Sequence, residues 1–287
     1  MVTATNPTPP TRLPMEAGPA RAIVTKTRGR PSGPVTRLMS PSDLGVLLKP
    51  FVFLDFLDFV EADVSVLGKF PVHPHSGIGT VTVITNGEML FDDPKGGSGA
   101  IRYGGLEWMR AGGGVWHGDE MKVGASNSIQ GFQLWVALPP ELEYAPSLSQ
   151  FIEAQFTPSV GPARAMIGEY AGAKSPAQSP AGITYLLVTL DPGDHWTFTP
   201  PEEHTVAFLS VASGSLMVGE TVDAGELAAF EPGEIPITIA AGPPGATFVL
   251  GSAVPHRHDL VLGCYSVHTS AAALAAGEAR IEAIRPR

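Results

Sequence analysis

Two short segments hold the residues best suited to chemistry. One is FPVHPHSG, with His73 and His75; the other is GGGVWHGDE, with His117, Asp119 and Glu120. In a strand, residues i and i+2 point to the same face. His73 and His75 therefore project together, and Val115, His117 and Asp119 share a face opposite Trp116 and Glu120. Carrying the parity of the two histidines into TVTVIT places Val81 and Val83 inside with the imidazoles, and Thr80 and Thr82 on the other face. Two adjacent strands would then send three imidazoles and a carboxylate into one cavity. That set leaves open positions on a six-coordinate metal and suits non-haem iron. Asp119 has the right parity and a short reach. Glu120 reaches further and turns inward only if Gly118 breaks the strand. Gly112, Gly113 and Gly114 let backbone pass close to such a site.

The remaining candidates have less around them. His256 and His258 share the i, i+2 spacing in a Pro-flanked loop, and His195 and His204 have no third histidine at motif spacing. Cys264 lies in the apolar run LVLGCYSV and reads as a small buried hydrophobe. Ser128 and Ser252 have no G-x-S-x-G elbow to make either a nucleophile. No phosphate-cradling loop is present.

The elements that must position these groups read as strands. PFVFLDFLDF (50–59), TVTVIT (80–85, ending at the hairpin signal Asn86-Gly87) and GFQLWVALPP (131–140) form a first series. A second series runs ITYLLVTL (183–190), WTFTP (196–200), TVAFLSVASG (205–214), SLMVG (215–219), ELAAFEPG (226–233), ITIAAG (237–242) and TFVLG (247–251). Turn residues recur every eight to twelve positions, the rhythm of an all-β sandwich or barrel. Only 270–285 reads as helix, opened by a Ser/Thr cap and weakened at Gly277 by up to ~1 kcal/mol. The expected organisation is a disordered tail (1–20), a first metal-binding barrel (21–150), a linker region (151–182, centred on AGAKSPAQSPAG) and a second barrel with the helix (183–287).

Composition narrows the functions. The 287 residues carry a net charge of −10, which argues against electrostatic capture of nucleic acid or an anionic membrane. The basic cluster Lys26, Arg28, Arg30 and Arg37 reads as a solvated loop. A single cysteine rules out an internal disulfide and a multi-cysteine metal site. It fits a reducing compartment. No run reaches ~18 apolar residues, and the amino-terminal stretch has no apolar core of signal length, so a cytoplasmic location is expected.

Several ordered motifs together, FPVHPHSGIGTVTVITNGE, LEWMRAGGGVWHGDEM and GFQLWVALPP, resemble the pirin family of the cupin superfamily. KPFVFLDFLDF and LVLGCYSVHTSAAALAAG extend the resemblance over roughly 21–285, densest over 50–140. It implies an all-β fold of two stacked antiparallel cupin-type barrels with a short C-terminal helix. It also implies one divalent metal in the first barrel, Fe2+ before nickel, copper or manganese, and none in the second. The family's ligand positions fall on His73, His75, His117 and Asp119. Aspartate there replaces the family's glutamate, unless a bulge brings in Glu120. Ser76 stands where the family commonly has arginine, and Gly79 where it commonly has glutamate, so a charge pair near the metal is lost. Two functions are implied. One is quercetin 2,3-dioxygenase activity on a flavonol or related aromatic enol with dioxygen, Asp119 or Glu120 serving as ligand or general base and Trp116, Phe70 and Met121 as walls. The other is a metal-dependent, non-catalytic partner of a transcription regulator or metabolic enzyme. Loss of the metal site would leave a structural relic. A monomer is expected.

Overall fold

The computed structural model describes residues 20–60, 71–93, 97–118 and 121–286. The expected tail, apart from Ala20, lies outside them. Two antiparallel sheets dominate. The first runs in the order Leu148–Ile152, Leu106–Arg110, Ile78–Asn86, Ser128–Ala137, Phe51–Val60, Val35–Met39, Arg30–Ser32. The second runs Ile23–Thr27, Leu227–Phe230, Val206–Val218, Ile237–Ala253, Ile183–Leu190, Ala163–Tyr170, Ser159–Val160. The α-helices among the described residues are Leu44–Leu48 and Ala271–Ala283. Ser270 caps the second, its hydroxyl accepting from the Ala273 amide at 3.1 Å.

The central strands are buried on both faces, which is why they read as nearly unbroken apolar runs. One face of the first sheet packs against the second sheet. Leu54, Phe56, Val81, Val83, Trp108, Phe132 and Leu134 share a core there with Tyr185, Leu187, Phe208 and Val249. Phe51 meets Phe208 edge-on at 5.2 Å between centroids. The opposite face of each sheet curls around its own interior. In the second unit that interior is filled by side chains such as Leu186, Val188, Phe198, Leu209 and Phe248.

Several boundaries differ from expectation. Asn86-Gly87 turns the chain, with Gly87 at φ +80, but makes no hairpin. The next strand, Glu88–Asp93, pairs with Gly97–Arg102 and Met121–Val123 instead of folding back. Gly214 and Gly242, expected to end strands, do not, so 206–218 and 237–253 each run through. Register shifts along 206–218 absorb Gly214. The stretch read as linker holds the strand Ala163–Tyr170, whose Ala-rich alternation pairs with Ile183–Leu190.

The two halves also exchange their ends. Ile23–Thr27 pairs with Leu227–Phe230 in the second sheet. The C-terminal hairpin Val261–Gly263/Ser266–His268 and the helix after it return to the first half, where Ser76 bridges Ser266 and the Trp116 indole donates to the Ile281 carbonyl at 2.9 Å. Among the described residues no helix is long and apolar enough to cross a membrane.

Candidate metal centre

The two histidine segments pair as an antiparallel two-stranded ribbon, with Val115 opposite His75 and His117 opposite His73. The shared parity of His73 and His75 and the short ribbon bring three rings together. Their centroids lie 4.9, 4.6 and 5.0 Å apart, and one ring nitrogen from each falls within 4.8 Å of the others. Asp119 and Glu120 lie outside the described residues, as does Phe70.

The hydrogen bonds around the rings set their tautomers. His75 Nδ1 lies 2.8 Å from the Tyr265 carbonyl, and His73 Nδ1 lies 2.9 Å from the Pro71 carbonyl. A carbonyl can only accept, so each Nδ1 carries the proton and each Nε2 keeps its lone pair. His75 Nε2 is buried and has no hydrogen-bond partner among the described residues. Burial, then the neighbouring His117, lowers the His75 pKa to about 3; the bond to the Tyr265 carbonyl opposes this, and His73 adds to it. The ring is thus held neutral, the form a metal requires. An orphaned buried nitrogen on a neutral imidazole, with two further imidazoles converging on it, is what a metal-binding set needs, so these residues fit the implied ion.

His73 and His117 open onto a cavity of about 510 Å³. Its lining corrects the parity carried forward from His75. Thr82 faces the cavity, while Val81 and Val83 belong to the core between the sheets. The cause is Gly77, at φ +72. It breaks the strand between His75 and Ile78, so the alternation restarts with the opposite sense. Met121 lines the cavity as expected; Trp116 instead packs against the C-terminal helix.

Sequence reasoning missed two groups. The first is the C-terminal hairpin, which lines the cavity with Leu262, Tyr265 and Val267. Behind it, buried Ser76 bonds Ser266 Oγ and His268 Nε2, each at 2.9 Å, and His268 Nδ1 meets Glu143 at 3.3 Å. No local signal marks that partnership, because its members lie up to 192 positions apart. The second group is a set of polar residues inside apolar strands, among them Asp55 and Glu107. Their isolation within LDF and LEW was a readable signal. Cys264 is exposed, not buried: it sits in the tight turn of the hairpin beside Tyr265 at φ +59. His195 and His258 are also exposed and His256 is half-buried, whereas His204 is buried in the second half.

Residues 35–136 match the family profile described as Pirin. A pirin-like protein of Arabidopsis thaliana is 36% identical over 179 residues, covering 60% of this chain and 56% of its own length. This chain thus spans little more than half of that relative. A Vibrio cholerae protein provisionally named a quercetin 2,3-dioxygenase is 31% identical over 217 residues, 71% of this chain and 76% of its own. Among solved structures, a quercetin 2,3-dioxygenase of Acinetobacter baumannii superposes with a TM-score of 0.76 at 25% identity, over 91% of this chain and 96% of that one. The expected all-β, cupin-type architecture with its short C-terminal helix is therefore the fold.

Proposed function

This chain belongs to the pirin family, and on that premise we propose that it is a mononuclear metal dioxygenase opening a flavonol or a related aromatic enol. The observation that carries the reading is the histidine triad beside a cavity walled by Phe53 and Trp135. His73, His75 and His117 would hold the ion, with Asp119, or Glu120 through a local bulge, as fourth ligand or as base for the substrate hydroxyl. A divalent metal bound there, iron by our choice, would supply Lewis acidity toward the 3-hydroxyl of a flavonol, for a reaction that adds dioxygen to the heterocycle and releases carbon monoxide.

The chain's own part is positioning. The carbonyls of Pro71 and Tyr265 fix the orientation of His73 and His75. Phe53 and Trp135 stack at 4.1 Å and 10°, and Trp135 meets His75 edge-on at 4.8 Å. Together they present a flat apolar surface to a planar ligand and keep water from the triad. Leu262 and Tyr265 also line the cavity.

The test is loss of the flavonol visible band in air, with metal-free and iron-loaded protein and with Asp119→Ala beside Glu120→Ala. Metal-dependent loss, abolished in one carboxylate variant, supports the reading and names the fourth ligand. No metal-dependent loss retires the dioxygenase.

A further inference from the structure

The residue after His75 begins a line of buried side-chain contacts. Ser76 Oγ lies 2.9 Å from both Ser266 Oγ and His268 Nε2, and His268 Nδ1 lies 3.3 Å from Glu143 Oε1. Ser76 is 0% exposed, and His268 and Glu143 are 1% exposed each. Serine, histidine and a carboxylate in that order can make a nucleophile. Here that chemistry is closed off, because no substrate reaches Ser76 and its one proton goes to Ser266. The Ser266 hydroxyl in turn donates to the Cys264 carbonyl at 3.4 Å. Ser76 therefore accepts from His268 Nε2, and the line of bonds ends in the turn of the C-terminal hairpin.

That turn holds Tyr265, whose carbonyl accepts from His75 Nδ1 at 2.8 Å. The hairpin strands, Val261–Gly263 and Ser266–His268, have three residues each. A two-stranded ribbon that short is not stable by itself. Tyr265 also sits at φ +59, a left-handed conformation that costs a tyrosine energy. Contacts from outside the hairpin must therefore hold it. Ser76 is one anchor: it bridges Ser266, and its carbonyl accepts the Val267 amide at 3.3 Å. Glu143 is the other. One of its carboxylate oxygens takes the Thr269 amide, and the second takes the Thr269 hydroxyl at 2.8 Å. His268 lies between the anchors and meets both.

Both anchors are tied to the segments that carry the three imidazoles. Ser76 is covalently joined to His75. In the loop that carries Glu143, the Ala145 carbonyl accepts the Gly113 amide at 3.0 Å, just ahead of His117. The Gly77 amide donates to the Gly112 carbonyl at 2.8 Å and closes the frame. A shift of either anchor thus moves the carbonyl that orients His75.

We propose, resting on the reading of the three imidazoles as a metal site, that Glu143, His268 and Ser76 are positioning residues of that site. They hold the Tyr265 carbonyl against His75 Nδ1, and so decide which nitrogen His75 presents to the ion. They act through the partner of a ligand, and such partners set both tautomer and metal affinity.

The experiment takes two readings on the full chain. In metal-free protein carrying isotope-labelled histidine, NMR reads the tautomer of His75, whose signal is assigned by its absence from His75→Ala. Cobalt(II) titrated against a competing chelator reads affinity at the triad. Wild-type His75 should carry its proton on Nδ1 alone. Ser76→Ala and Glu143→Gln should each mix the two tautomers and weaken cobalt binding about tenfold or more. Either variant suffices should the other fail to fold. Leu209→Ala leaves a cavity in the interior of the second half. It should lower stability and change neither reading, which separates positioning from stability. Three results overturn the positioning role: a wild-type His75 without its proton on Nδ1, a folded variant that keeps the single tautomer, or a folded variant that binds cobalt as tightly as wild type. Mixed tautomers in the variants of a chain that takes no cobalt even as wild type would retire the metal centre and keep the positioning of His75. Tight cobalt binding with unchanged tautomers would do the reverse.

Discussion

His75 is the residue on which the proposed metal centre turns. It is 1% exposed, its Nδ1 is committed to the Tyr265 carbonyl, and its Nε2 faces the other two imidazoles. Removing one of three converging ligands leaves too few donors to retain an ion against water. We expect His75→Ala to lose stoichiometric metal in elemental analysis after loading and desalting, while His195→Ala, at an exposed position in the second half, keeps it. Retention of a full equivalent by His75→Ala would place the metal elsewhere. At this scale the sequence was informative: HPH and a third histidine after the glycine run were enough to name the triad. It could not supply Tyr265, which acts through a backbone carbonyl that any residue type carries.

Among the elements, the C-terminal helix is the one that departs most from its local preferences. Gly277 weakens helix by up to ~1 kcal/mol relative to alanine, yet the helix Ala271–Ala283 runs through it. The reason is close approach. A Cβ at Gly277 would lie 2.6 Å from Ser76 Oγ and 2.7 Å from His268 Nε2. Both atoms belong to the buried network that ties the hairpin to the strand bearing His75. Gly277→Ala should therefore destabilise the protein, by about 1–3 kcal/mol as overpacking does, against the sign that helix propensity predicts. Urea denaturation decides between them; a more stable variant would show that the helix can shift without cost. The hairpin read into Asn86-Gly87 failed for a related reason. The turn chemistry was right, but local residues cannot say which strand will be the partner.

The whole molecule is held by a core common to both sheets, so its halves are expected to unfold together. Phe208 is fully buried against Phe51 of the other sheet. Phe208→Ala should cost about 3–5 kcal/mol. In a Trp196→Phe background the remaining tryptophans, Trp108, Trp116 and Trp135, all report on the first half. Their fluorescence should still fall at the same urea concentration as the circular dichroism of the entire chain. Separate transitions would mean that the shared core does not couple the halves.

Stability should also depend on pH in a definite direction. Burial lowers the pKa of His75 to about 3, and lowers those of His204 and His268, the latter against the raising effect of Glu143. In the unfolded chain each takes a proton near 6.5, which the folded chain resists. Stability is thus fully present above about pH 6.5 and falls as pH drops toward the native values. Asp55, raised by burial against the pull of Arg37, works the other way in the window just above its ordinary value. Three histidines, one strongly shifted, outweigh it between pH 7.5 and 5.5. The urea midpoint of metal-free protein should fall across that range; a flat or rising midpoint would mean these rings are protonated in the folded state.

The residues alone determined that the chain would be built of strands, that two adjacent strands would carry three imidazoles, and that the last segment would be a capped helix. These are short-range facts, set by alternation, spacing and capping within a few residues. Only the tertiary structure decided which face of Ile78–Asn86 looks into the cavity. One glycine between the ligands and that strand resets the alternation, and parity does not survive a left-handed residue. Tertiary structure also decided that residues 261–283 return to the first half and wall its cavity. Asp55, Gln133, Thr82 and Glu107 come from four strands spread over some 80 positions, and they meet because long-range register, not local pattern, sets what lies beside what.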